Sequence, residues 1–349
     1  MCAGVTTTAG GSSSGGQRVD AWPDGTASID GFLTDSGISL PDEGRLDMAV
    51  EIHFPRRLIE PAVILACLPG GGASRRFFDL MPPGQDGPRE ASFSFARQMA
   101  ARGFIVALID HLGIGDSARP KDGFALSGDV LSQATHHVLA AIEGRVQLRY
   151  GAAPVHRRTV GVGHSMGALV TVLQQAQHRS YDAIALLGFS TRGLPDYVPR
   201  PLHSLARDPN ALRTQLPALA KQMFKEPYPY LERTPESRGM FAGDRADARG
   251  IAALNLLRKE PILPLPSWHS MLPGNVGPEA ASIDVPVFLG IGDHDIVGPP
   301  EEAPSAFPHS PDVELHVMPQ TGHSLFLFAA RPALFAALDV WARSVAGVA

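Results

Sequence analysis

Thr159-Val160-Gly161-Val162-Gly163-His164-Ser165-Met166-Gly167 is the stretch on which the reading of this chain turns. Thr159 to Val162 is short and rich in β-branched residues and predicts a buried strand, while Ala168 to Gln177 predicts a helix. Between them Gly163-His164-Ser165-Met166-Gly167 fits the pattern Gly-x-Ser-x-Gly. A strand that turns directly into a helix strains the residue at the turn, and side chains two positions before or after it would collide with neighbouring backbone. Ser165 is therefore expected to stand exposed at the tip. The helix start also places backbone N–H groups, that of Met166 among them, where negative charge can be stabilised. Taken alone, the pentapeptide also fits a glycine-rich loop with a surface serine.

Working outward, Ala62 to Leu68 is a continuous apolar run of the kind buried on both faces of a sheet, and it runs into Pro69-Gly70-Gly71-Gly72. Glycines there let backbone N–H groups approach a ligand, one way to build an oxyanion hole. Ser74 to Glu90 is irregular, with Arg75, Arg76, Phe77 and Phe78 as candidates to lean over the site or to pack. Arg45 to Phe54 alternates polar and apolar residues, as a half-buried antiparallel strand does. Ser92 to Arg102 predicts a helix and Phe104 to Ile109 a strand, followed by Asp110-His111-Leu112-Gly113-Ile114-Gly115-Asp116-Ser117. That segment superficially resembles a dinucleotide fingerprint, but it lacks the third glycine and Arg119-Pro120 follows in place of a helix. Leu126 to Tyr150 predicts a long helix whose adjacent His136 and His137 point about 100° apart, a poor metal pair. Ala183 to Phe189 predicts the next strand. Alternating strands and helices imply a parallel sheet covered on both faces.

The alternation stops from Thr191 to Ala281, which holds helical pieces such as Ala211 to Phe224 and Arg245 to Arg258 and no convincing strand. So long a span is not an ordinary loop, and it predicts a helical cap over residues 191–281. The core is then 21–190 and 282–349, preceded by a disordered leader over 1–20. The cap would supply pocket walls, with Met223, Phe224, Tyr228, Tyr230, Trp268 and Met271 as candidate lining. The strand pattern resumes at Val285 to Ile291, ending on Gly292-Asp293-His294-Asp295, and at Val313 to Met318, ending before Gly322-His323. Leu325 to Val345 predicts a closing helix interrupted at Pro332.

Composition excludes several classes. A formal net charge of -5 without a basic block argues against a nucleic-acid partner. No apolar stretch reaches the ~18 residues of a membrane span, and Met1 to Gln17 has neither the basic start nor the apolar core of a secretory signal. Cys2 and Cys67 are unsuited to pair, and a reducing, cytoplasmic setting is expected.

Ser165, an acid at Asp293 or Asp295, and His323 each follow a different strand at its carboxyl end, where parallel sheets bind ligands. Serine, acid, histidine is also the chain order of one triad family. Here the sequence resembles the α/β-hydrolase superfamily across about residues 45 to 345. The matching residues are the elbow at 163–167, the Pro69-Gly70-Gly71-Gly72 loop, the Asp110 to Ser117 turn, the Gly292 to Asp295 segment and Gly322-His323. The resemblance implies an α/β fold with a mostly parallel sheet, a helical cap and hydrolase chemistry. It implies Ser165 as nucleophile, His323 as base, Asp295 (three residues after Gly292) as the orienting acid, and oxyanion donors from Met166 and from Gly71 or Gly72. Pro69 stands where many relatives carry histidine, which leaves the choice between the two glycines open. Phe77, Met223, Phe224, Tyr228 and Trp268 are the candidate substrate contacts. The expectation is a hydrolase of a carboxylic ester, lactone or thioester of a small, moderately apolar molecule, with no metal or organic cofactor and with oligomeric state open, a homo-oligomer included. The alternatives are a binding or receptor protein on the same fold, a carbon–carbon bond hydrolase, a cofactor-free haloperoxidase or an acyltransferase.

Overall fold

The computed structural model describes residues 26–82, 90–151, 157–232, 241, 243 and 245–347. The leader expected over 1–20 lies outside the described residues. Among the described residues eight strands form one sheet in the order β1-β2-β4-β3-β5-β6-β7-β8: β1 is Thr26–Asp35, β2 Asp47–Pro55, β3 Ala62–Leu68, β4 Ile105–Ile109, β5 Arg157–His164, β6 Ala183–Leu187, β7 Val287–Gly292 and β8 Val313–Met318. The first two strands join antiparallel, and from β4 to β8 every pairing is parallel.

The central strands are apolar on both faces because helices cover both. Every residue of β3, β4 and β6 is buried. One face of β3 (Ile64, Ala66, Leu68) packs with helices Gly128–Tyr150 and Met166–His178, and the other (Val63, Leu65, Cys67) with helices Phe95–Ala101 and Arg331–Ala346. Cys67 is a free, buried thiol, and burial pushes its pKa up, so it behaves as a small apolar residue.

Some expectations needed correction. No strand is expected over Thr26–Asp35, yet it pairs with β2 at the sheet edge, where apart from Thr26 its described side chains are half-buried or exposed. Pro332 does not interrupt the closing helix. It stands in the first turn of Arg331–Ala346, where a missing N–H costs nothing, and Leu325–Leu327 forms a separate 3-10 turn.

Between β6 and β7 the described residues contain helices Pro209–Met223, Ala248–Leu256, Pro264–Met271 and Gly277–Ala281, with 3-10 turns and no strand. Val198, Leu205, Leu212, Leu216, Ala220, Leu265, Trp268 and Leu272 form a small core of their own within this segment.

Candidate active site

Ser165 sits between β5 and helix Met166–His178 with φ 54° and ψ −120°, a conformation that L-residues rarely adopt. Packing holds it there: the Ser165 N–H donates to the Leu187 carbonyl at 2.9 Å. The two elbow glycines are needed by close approach. A Cβ on Gly163 would lie 2.4 Å from the Ala168 Cα, and one on Gly167 would lie 2.2 Å from the Leu68 carbonyl oxygen. Gly167→Ala is accordingly expected to destabilise the fold by about 3 kcal/mol or more, since backbone has to move. Urea unfolding of the variant measures this, and a midpoint equal to wild type would contradict it.

The sheet brings Ser165, Asp295 and His323 together from three strand ends. His323 Nε2 lies 2.9 Å from Ser165 Oγ, and His323 Nδ1 lies 2.8 Å from Asp295 Oδ1. His323 and Asp295 are buried. Asp295 Oδ1 also accepts the Val297 N–H at 3.2 Å. Asp293 does a different job: its carboxylate accepts the N–H groups of Gln320 and Thr321, each at 3.0 Å, and pairs with His294 at 2.7 Å. Burial alone would raise the Asp293 pKa, but these hydrogen bonds outweigh it and hold the carboxyl at about 2. Asp293 thus ties the loop after β7 to the loop that carries His323.

Two further histidines fix the surrounding loops. His111, after β4, donates Nε2–H to the Pro69 carbonyl at 3.0 Å, so the glycine loop is held from the neighbouring strand. His164 donates Nε2–H to the His323 carbonyl at 2.9 Å, tying the elbow to the loop that carries His323. Burial pushes His111 down to about 4; burial and then the neighbouring His323 push His164 down to about 3. Both rings are neutral when folded, so below about pH 6.5 the unfolded chain binds more protons than the native one. Their contribution is whole above about 6.5 and falls by about 1.4 kcal/mol per pH unit per ring as pH drops toward 4. The melting temperature is expected to decline between about pH 6.5 and 5, and less steeply in His111→Asn; equal slopes would contradict this.

Charge pairs lock the loops after β3 and β4 to each other and to the β6–β7 segment. The Arg75 N–H donates to Asp110 Oδ1 at 2.6 Å, and its guanidinium pairs with Asp110 and, at 2.8 Å, with Asp116. The buried Glu260 accepts the Gly115 N–H at 3.1 Å and the Arg258 Nε–H at 2.9 Å. The turn that superficially suggested a dinucleotide site is thus built around its own Asp110.

Gly71 lies beside the Met166 side chain, a Cβ on it falling 4.0 Å from Met166 Sδ. Of the candidate substrate contacts, Phe77 is buried and stacks on His164 at 4.7 Å, with Phe78 and Phe326 also against it. Trp268 is buried in the core of the β6–β7 segment, and Phe224 packs against that core. Tyr228 is half-buried and donates its hydroxyl to the Pro120 carbonyl at 2.7 Å; Met223 is 48% exposed at a helix end. Sequence reasoning missed Phe241, whose ring centroid lies 5.8 Å from that of His323, and Ser267, whose Oγ lies 3.2 Å from Met166 Sδ. Neither has a sequence signal, because both reach the site by folding back from far along the chain.

A model of the alpha/beta hydrolase family matches residues 65–338, and the chain belongs to that family. Among solved structures it is similar to a thermostable carboxyl esterase from Bacillus coagulans (16% identity, 91% of this chain and 99% of that one, TM-score 0.59). It is also similar to a thermophilic esterase from Thermogutta terrifontis (17%, 90% and 99%, 0.52) and a bromoperoxidase from Bacillus anthracis (15%, 89% and 98%, 0.52). At such identities the likeness concerns the fold alone. A search of curated protein sequences gives no match. Among the described residues no helix is long and apolar enough to cross a membrane.

Proposed function

We propose that this chain is a serine hydrolase that cleaves a carboxylic ester, lactone or thioester of a small, moderately apolar molecule through an acyl-enzyme on Ser165. The observation that carries this reading is the continuous relay from Asp295 through His323 to Ser165, at 2.8 and 2.9 Å, ending on a serine held at φ 54° at a helix start. His323 takes the proton from Ser165 Oγ as that oxygen attacks the carbonyl carbon, since serine alone is a weak nucleophile. Asp295 holds the Nδ1–H tautomer and stabilises the imidazolium. The N–H groups of Met166 and Gly71 receive the charge that develops on the carbonyl oxygen. His323 then gives its proton to the leaving alcohol or thiol. A water, deprotonated by the same ring, releases the acid and restores Ser165. Every step uses groups of this chain and water.

The β6–β7 segment is read as the cap of this site. Phe241 beside His323, and Ile262 near Gly72, support an apolar substrate on that side. The reading is tested by hydrolysis of nitrophenyl esters, thioesters and small lactones of graded acyl length. Saturable turnover with a preference among short and medium acyl chains is expected. Folded protein that turns over none of them would overturn it.

A further inference from the structure

Ser267 lies in helix Pro264–Met271, within the β6–β7 segment, and is 8% exposed. Ser267 Oγ lies 3.2 Å from Met166 Sδ, and a Cβ built on Gly71 would fall 3.0 Å from the same oxygen. Met166 and Gly71 are the two residues whose N–H groups the proposed mechanism aims at the carbonyl oxygen. The hydroxyl therefore contacts the Met166 side chain and occupies the space where a Gly71 side chain would stand.

Its hydrogen-bond partner matters. A thioether is a weak acceptor, so an O–H resting on Met166 Sδ gives up little when it turns elsewhere. The Ser267 backbone is fixed independently: its N–H donates to the Leu263 carbonyl at 3.1 Å, and its carbonyl accepts the Ser270 hydroxyl at 2.8 Å. A hydroxyl with a fixed backbone and a loosely committed proton, which needs only to rotate about Cβ–Oγ, is suited to meet a negative charge that appears during reaction.

We infer that Ser267 is a third donor of the oxyanion hole, supplied by the β6–β7 segment, and this rests on the hydrolase reading above. In the ground state its proton rests on Met166. As the carbonyl oxygen gains charge, the O–H turns from sulfur to that oxygen and joins the N–H groups of Met166 and Gly71. No bond to Ser267 forms or breaks. The site is then complete only with this segment docked on the core, which couples its placement to the rate of the chemical step.

The test uses the full chain, with nitrophenyl acetate as substrate and a fluorophosphonate as probe of Ser165. Ser267→Ala is expected to lose about 100-fold in kcat with KM little changed, because the lost interaction exists only in the transition state. Ser267→Thr, which keeps the hydroxyl, is expected to recover most of that loss. Ser267→Ala should still take up one probe per chain at Ser165, more slowly than wild type. An alanine variant with wild-type kcat and full labelling would overturn the inference and leave the hydrolase reading standing. So would a threonine variant that melts like wild type yet is as slow as alanine. A wild type that neither labels nor turns over would overturn both.

Discussion

Ser165→Ala is expected to lose catalysis by about a million-fold, to within the background set by binding and the oxyanion donors, and His323→Ala to lose about as much. In the proposed mechanism the two act as one unit: without the base the hydroxyl is not activated, and without the hydroxyl the base has no proton to take. The double variant should accordingly be little worse than either single one. Neither change should unfold the protein. Ser165 is only part-buried, and alanine in its place keeps the N–H bond to Leu187. Single-turnover measurements with an activated ester on variants of unchanged melting temperature check this. Additive losses would show that the two residues do not form a relay.

Asp295→Asn is expected to cost about ten-thousand-fold in kcat, because the amide can donate to His323 Nδ1 and favour the wrong tautomer while the geometry stays in place. The contrast with Asp293→Asn makes this informative. Asp293 lies two residues away but bonds Gln320, Thr321 and His294. Its removal should therefore slacken the loop that carries His323 and cost far less rate. Because its folded pKa lies at about 2, below the usual carboxylate range, its stabilising contribution is whole above about pH 4 and is lost as pH falls toward 2. Parallel rate and acid-melting profiles of the two variants separate the roles. Reversed rate losses would assign the acid to Asp293.

Much of the fold could be read in the sequence because the central strands are short apolar runs ended by glycine or acid. Ala62 to Leu68 coincides with β3, and Ala183 to Leu187, within the run expected to Phe189, with β6. The placing of Ser165, Asp295 and His323 at strand ends followed from the same pattern. What was not legible depends on long-range packing. β1 owes its place to pairing with β2, since after Thr26 its described side chains are half-buried or exposed, Leu33 among them at 59%. Helix Pro264–Met271 is masked by Pro264 and Pro266 in its first turn. The loop that begins at Pro69 is held from a distance: His111, 42 residues further along, donates to the Pro69 carbonyl from the loop after β4, a contact that no local motif announces. Aromatic residues were poor guides to the pocket for the same reason: Phe77 and Trp268 are buried in packing, while Phe241 stands by His323.

The most direct measurement is intact mass after treatment with an active-site-directed fluorophosphonate, wild type beside Ser165→Ala. A nucleophile activated by the relay through His323, at 2.9 Å from Ser165 Oγ, predicts one adduct per chain on wild type and none on Ser165→Ala. Folded wild-type protein that takes up no adduct, or a Ser165→Ala variant labelled to the same extent, would contradict the activated serine on which the account stands.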